Sequence, residues 1–105
     1  VSMVGAGEKL FQRLGCVSCH LPNDSGRGPS LVGLIGNKVA LQGGGSTIAD
    51  ETYIRESILN PQAKLTAGYQ PIMPTFKGLI SEDGLMQILA YVKSLKREEG
   101  AQGKK

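Results

Sequence analysis

The sequence has few side chains suited to ligation and few aromatics. It contains two cysteines, one histidine and no tryptophan. A structural zinc takes four Cys or His ligands, often as two separated pairs, and this supply falls short of that set. Only five residues are aromatic, two Phe and three Tyr, so the apolar material for a core is modest and something else must help fill the interior. No run of about 18 apolar residues occurs, which excludes a bilayer-spanning segment. The sequence shows no signal-peptide pattern and opens directly on a helical one, which reads as a mature, processed protein or a domain cut from something larger. The net charge of +3 comes from mixed charges with no basic stripe and no aromatics set among Lys or Arg. That pattern argues against a nucleic-acid partner and reads as an ordinary solvated surface. Internal repeats and any sign of a second domain are missing too. A length of 105 residues suits one small domain.

What is present in excess is glycine, 15 residues, beside five prolines, which implies short elements joined by much irregular backbone. Three segments carry helical periodicity. The first spans about 4–14, with Leu10, Phe11 and Leu14 apolar and Gly15 as a stop. Gly7 lies one turn before Phe11, and a glycine inside a helix reads here as a close-approach point for another helix. The second runs from an Asp50 N-cap to Leu59 and is ended by Asn60-Pro61. The third runs from Glu82 to Arg97, capped by Ser81, with Ile80 and Leu85 placed for a hydrophobic staple. Leu85, Ile88, Leu89, Val92 and Leu95 form its apolar stripe. A short hairpin of Val39–Leu41 with Thr47–Ile48 is expected, Gly43–Ser46 being its turn. Residues 60–80 read as extended loop. The domain is expected over 1–97 and a flexible tail over 98–105.

Both cysteines and the only histidine sit in one pentapeptide, CVSCH, residues 16–20. Four readings compete: a redox dithiol, a structural disulfide, half of a metal site, and attachment of a haem. A thioredoxin-like CxxC normally lies beside a βαβ pattern, but here a helix precedes it. A disulfide across two residues would close a tiny loop and stabilise little. Haem attachment accounts for all three side chains. Each thiol adds to one vinyl group, the adjacent His ligates iron, and one local turn can reach three points at fixed distances on a rigid ring. The competing plain reading is a helix end with incidental cysteines. A covalent haem would also supply the apolar surface that the composition lacks.

If His20 fills one axial position, the other falls to Met, Lys, water or nothing. Of Met3, Met73 and Met86, the first precedes the first helix and the last sits within the third, where Met commonly fills gaps. Met73 lies in YQPIMPTF, stiffened by Pro71 and Pro74. Such stiffness suits a loop that holds a thioether on iron. His/Met ligation raises the reduction potential and closes the coordination sphere, which favours electron transfer. A sensor or peroxidase with a labile Met73, and a haem-free thiol or zinc module, are the alternatives from other classes. Lys64 and Lys77, near Met73, are read as solvated charges before any docking role.

The chain resembles class I cytochromes c along nearly its whole length, through the Gly7/Phe11 helix, CVSCH, GPSL (Gly28–Leu31), the Met73 loop and ILAYVKSL (Ile88–Leu95). The resemblance implies an all-α fold around a covalently bound haem c, held through Cys16 and Cys19. It implies that Gly7 and Phe11 meet Ile88 and Tyr91 across paired terminal helices. It also implies that the Pro29 carbonyl accepts a hydrogen bond from His20, and that the haem edge near the cysteines is where electrons enter or leave. More narrowly, DETYIRESILNP (Asp50–Pro61) and GYQPIMP (Gly68–Pro74) are similar to the cytochrome c domain fused to subunit II of bacterial haem-copper oxidases. That likeness implies a dicopper centre as acceptor and a cytochrome or quinol-oxidising complex as donor. It further implies membrane association only through a parent subunit, a periplasmic or outward-facing site, and Val1 as a cut point. As an isolated domain the chain is expected to be a monomer and no enzyme by itself. A free-standing periplasmic carrier is the alternative.

Overall fold

The computed structural model describes residues 2–23 and 25–95. Helix α1 spans Met3–Arg13, α2 spans Glu51–Leu59 and α3 spans Glu82–Ser94. Strands β1 (Lys38–Ala40) and β2 (Ser46–Ile48) lie between the first two helices. They pair antiparallel, with Val39 opposite Thr47, and the turn between them carries Gly43, Gly44 and Gly45. The helical class with one small hairpin agrees with expectation.

Each helix starts where a side chain can accept a free N–H of its first turn. Ser2 Oγ accepts from Gly5 at 3.0 Å, which draws Met3 into α1 rather than leaving it ahead of the helix. Asp50 Oδ1 accepts from Tyr53 N–H at 2.8 Å, and Ser81 Oγ accepts from Gly84 N–H at 3.0 Å. At the far end of α1, Gly15 takes a left-handed φ of 82°, and its N–H donates to the Gln12 carbonyl at 3.1 Å. Helix α3 ends at Ser94, earlier than the periodicity suggested. Leu95 turns to extended backbone and its carbonyl accepts from Gly33 N–H at 2.6 Å, a bond that helix continuation would forgo. Lys96, Arg97 and the tail 98–105 lie outside the described residues.

Helices α1 and α3 cross in direct contact at Gly7. A Cβ there would stand 2.0 Å from the Gln87 carbonyl oxygen and 2.8 Å from Tyr91 Cβ, so only glycine lets the two backbones meet. One turn on, the Phe11 and Tyr91 rings pack with centroids 5.2 Å apart at 56°, a tilted arrangement that aromatic quadrupoles favour. The expected pairing of the terminal helices is therefore present, with the Gln87 backbone making the closest approach.

The core gathers Val39 and Ala49 from the hairpin region, Tyr53, Ile54 and Ile58 from α2, and Leu85, Ile88, Leu89 and Val92 from α3. Ile80, on the expected staple, packs against this cluster. Met86 does not fill a gap in it: the side chain is 44% exposed, with its sulfur 3.9 Å from an Arg55 nitrogen. Segment 60–81 has no helix or strand of its own. It is laid along the hairpin by Gln42 N–H to Leu65 O (2.8 Å) and Ala67 N–H to Ala40 O (2.9 Å).

Candidate haem-binding site

An apolar cavity of about 300 Å³ opens between the turn after α1, the core face of α2 and α3, and segment 60–81. Cys16, Cys19, His20, Pro29 and Met73 all line it, so every site residue expected from the sequence reaches one space. Phe11, Leu31, Ile54, Ile58, Ile88 and Val92 make its apolar walls. A cavity of this kind, with few polar groups set in apolar walls, suits a flat hydrophobic cofactor.

The CVSCH segment is shaped by its own backbone. Ser18 N–H bonds to Gly15 O at 3.0 Å, and Cys19 and His20 N–H both bond to Cys16 O, at 3.2 and 3.0 Å. This single 3₁₀ turn, Cys16–Ser18, sets residues three apart on the same side, which brings Cys16 and Cys19 to one face with His20 beside them. Burial pushes the Cys16 thiol up from its ordinary pKa, a backbone hydrogen bond offsets part of the rise, and the neighbouring Cys19 adds a smaller upward push. A redox dithiol needs the opposite shift, since thiolate is the nucleophile. Among the described residues no three His, Cys, Asp or Glu side chains cluster as a metal site would require. Neither the thiol environment nor the ligand supply favours the redox or zinc reading of the motif, while attachment to a haem uses both cysteines and the adjacent His20.

His20 is fixed by a contact that sets its tautomer. Its Nδ1 lies 2.8 Å from the Pro29 carbonyl oxygen. A carbonyl only accepts, so Nδ1 carries the proton and Nε2 presents its lone pair. Such an outer contact orients a ligating imidazole and raises its basicity. Gly28 completes the cradle. A Cβ there would press 2.8 Å from His20 Cε1, and Gly28 N–H donates to Cys19 O at 3.0 Å. Gly26 likewise leaves no room, with the Cys19 oxygen 2.3 Å from a Cβ placed there. Sequence reasoning missed the roles of both glycines; their two-residue spacing just ahead of Pro29 was the available signal.

Met73 is half-buried against the core. The segment around it is bound to the end of α2: Phe76 N–H donates to Ile58 O at 3.0 Å and Thr75 Oγ1 to Leu59 O at 2.7 Å. Pro71 O accepts from Gln62 Nε2 at 3.3 Å. Tyr53 also lines the cavity, and its hydroxyl shares a 3.1 Å hydrogen bond with Thr66. Lys64 is ion-paired with Glu56 at 2.6 Å, and Lys77 is exposed. Two apolar side chains near these residues are exposed: Val17, between the two cysteines in sequence, and Ile72, beside Met73 and lining the cavity.

Residues 4–96 match the family model described as cytochrome c. The chain is 29% identical over 93 residues to cytochrome c2 of Rhodoplanes tepidamans, a match that covers 77% of this chain and 91% of that protein. Among the described residues, no helix is long and apolar enough to cross a membrane.

Proposed function

The chain belongs to the cytochrome c family, and on that premise we propose that His20 and Met73 are the axial ligands of its haem c and that Pro29 holds the His20 ring in place. The family binds haem c covalently through a cysteine pair, here Cys16 and Cys19, and its work is electron transfer. Each thiol adds its S–H across one vinyl group, so attachment needs no oxidant. When bound, the haem supplies a one-electron iron couple. Met73 would hold the iron on the side away from His20, and its thioether would favour the reduced state. The apolar walls keep water from the couple. One observation carries this reading: His20, with its Nδ1 proton held by Pro29, shares a cavity with both cysteines and with the sole methionine lining it.

Met73→Ala tests it. The variant lowers the midpoint potential and lets the ferrous iron take up carbon monoxide at neutral pH. An unchanged potential and spectrum would mean that another group ligates iron.

For the destination of the electron, we infer the dicopper centre of a bacterial haem-copper oxidase, with this chain as the domain carried by subunit II. A cytochrome or quinol-oxidising complex then acts as donor, on the outward face of the cytoplasmic membrane. The runs Asp50–Pro61 and Gly68–Pro74 support this, since they are similar to the oxidase-fused domain over more residues than membership of class I requires. A second reading, a free-standing periplasmic carrier, is favoured by the likeness to cytochrome c2 over 91% of its length. Stopped-flow mixing of the reduced protein with a purified dicopper domain separates the two. Fast reduction of copper supports the oxidase domain. Slow reduction, alongside fast exchange with a separate soluble redox protein, supports the carrier. We place the domain at 1–97 and take it to act as a monomer.

A further inference from the structure

We propose that Thr75 and Gln42 are positioning residues for Met73, fastening the two ends of the segment that carries it. This inference rests on the reading of Met73 as an axial ligand. Residues 69–75 contain two prolines and form no helix or strand, so they have no ladder of backbone bonds to hold them. The Ile72 N–H is used within the segment, on Gln70 O at 2.8 Å. Within residues 69–75 attachment to the rest of the fold comes from side chains, those of Gln42, Gln62 and Thr75, and the backbone bond of Phe76 to Ile58 O lies just beyond.

Gln42, in the turn between β1 and β2, holds the leading end. Its Nε2 donates to Tyr69 O at 2.8 Å, while its backbone N–H donates to Leu65 O at 2.8 Å. Thr75 holds the trailing end, two residues after Met73. Its hydroxyl donates to Leu59 O at 2.7 Å and accepts from Lys77 N–H at 3.1 Å, which uses it in both directions. Leu59 O is one of the carbonyls left free at the end of α2, so one bond caps the helix and pins the ligand segment. Neither Thr75 nor Gln42 lines the cavity, so each acts on Met73 only through the backbone between them.

A ligand on a tethered segment is on the iron for the fraction of time that the segment is seated. An external ligand competing for the same position binds in proportion to the unseated fraction. Loss of one neutral hydrogen bond changes such an equilibrium by about three- to tenfold.

The experiment titrates ferric holoprotein with imidazole, with urea midpoints measured on the same samples. Thr75→Val and Gln42→Leu are expected to bind imidazole about three- to tenfold more tightly than wild type, and Thr75→Ser within about twofold of it. A variant at wild-type affinity removes that residue from the proposal. In particular, Thr75→Val with a lowered urea midpoint and unchanged imidazole affinity would leave Thr75 as a helix cap only. Met73→Ala keeps the two readings apart. Should it bind imidazole no more tightly than wild type, Met73 is not a ligand and both readings fall. Should it bind far more tightly while Thr75→Val and Gln42→Leu match wild type, the ligand stands and the positioning role falls.

Discussion

Phe11 stands between α1 and the Tyr91 ring, and its removal leaves a hole that two crossed helices cannot easily close. Phe11→Ala is expected to cost about 3–5 kcal/mol, as large buried aromatics do, measured by urea denaturation of the holoprotein. Gly7→Ala fails for the opposite reason. Its new methyl meets a backbone carbonyl, which cannot rotate away as a side chain could. Overpacking of this kind costs about 1–3 kcal/mol or more, read the same way. The residues whose chemistry is local were legible in the sequence. CVSCH stands out because five consecutive residues hold both thiols and the imidazole, and Met73 because two prolines bracket it, and the fold brings all of these side chains to one cavity. Gln42 and Thr75 were not legible, since each bonds to a carbonyl 16 to 27 residues away in sequence. Nothing in their own neighbourhoods distinguishes them from loop residues, whereas Gly28 stands in the GPSL run although its contact with His20 could not be read there.

At the level of the elements, helix starts were readable and helix ends less so. A cap is a single side chain at a known offset, and Asp50 and Ser81 both serve as expected. Replacing either by Ala should cost about 0.5–2 kcal/mol in urea denaturation. The end of α3 is decided instead by the Gly33 N–H, a partner about sixty residues earlier that periodicity cannot reveal. Helices α2 and α3 are also joined at the surface by a two-bond pair, Arg55 to Glu82, at 3.0 and 2.8 Å. The hydrogen-bonded guanidinium holds the Glu82 carboxyl below the usual carboxylate range. A carboxyl lowered in the folded state stabilises above its unfolded pKa, and this is lost as pH falls through the lowered folded value. Both side chains are well exposed, so the contribution is small and screened by salt. Glu82→Gln should therefore melt slightly below wild type at neutral pH and low salt. The difference should vanish in acid, by calorimetry.

For the whole molecule, the modest aromatic count turned out to be informative. The buried side chains of α2 and α3 do not close on one another: Ile54, Ile58, Ile88 and Val92 face a cavity as well as the core. A chain without its cofactor would leave those walls wet. Cys16→Ala/Cys19→Ala protein that carries no haem should accordingly show weaker helical circular dichroism and a broader thermal transition than wild type. The expected boundary after residue 97 has its own check. Removal of residues 98–105 should leave the melting temperature and the haem spectrum unchanged.

The crossing of α1 and α3 at Gly7 has a consequence for the order of folding. An isolated helix of 11 residues is marginal in water, and the partner of α1 lies far along the chain, at Glu82–Ser94. Helix α1 therefore gains its packing only when the crossing closes, and until then CVSCH sits just past the end of an unfastened helix. Its thiols are more open to attachment before α3 docks than after. Closing the crossing late keeps open the interval in which the cofactor is installed.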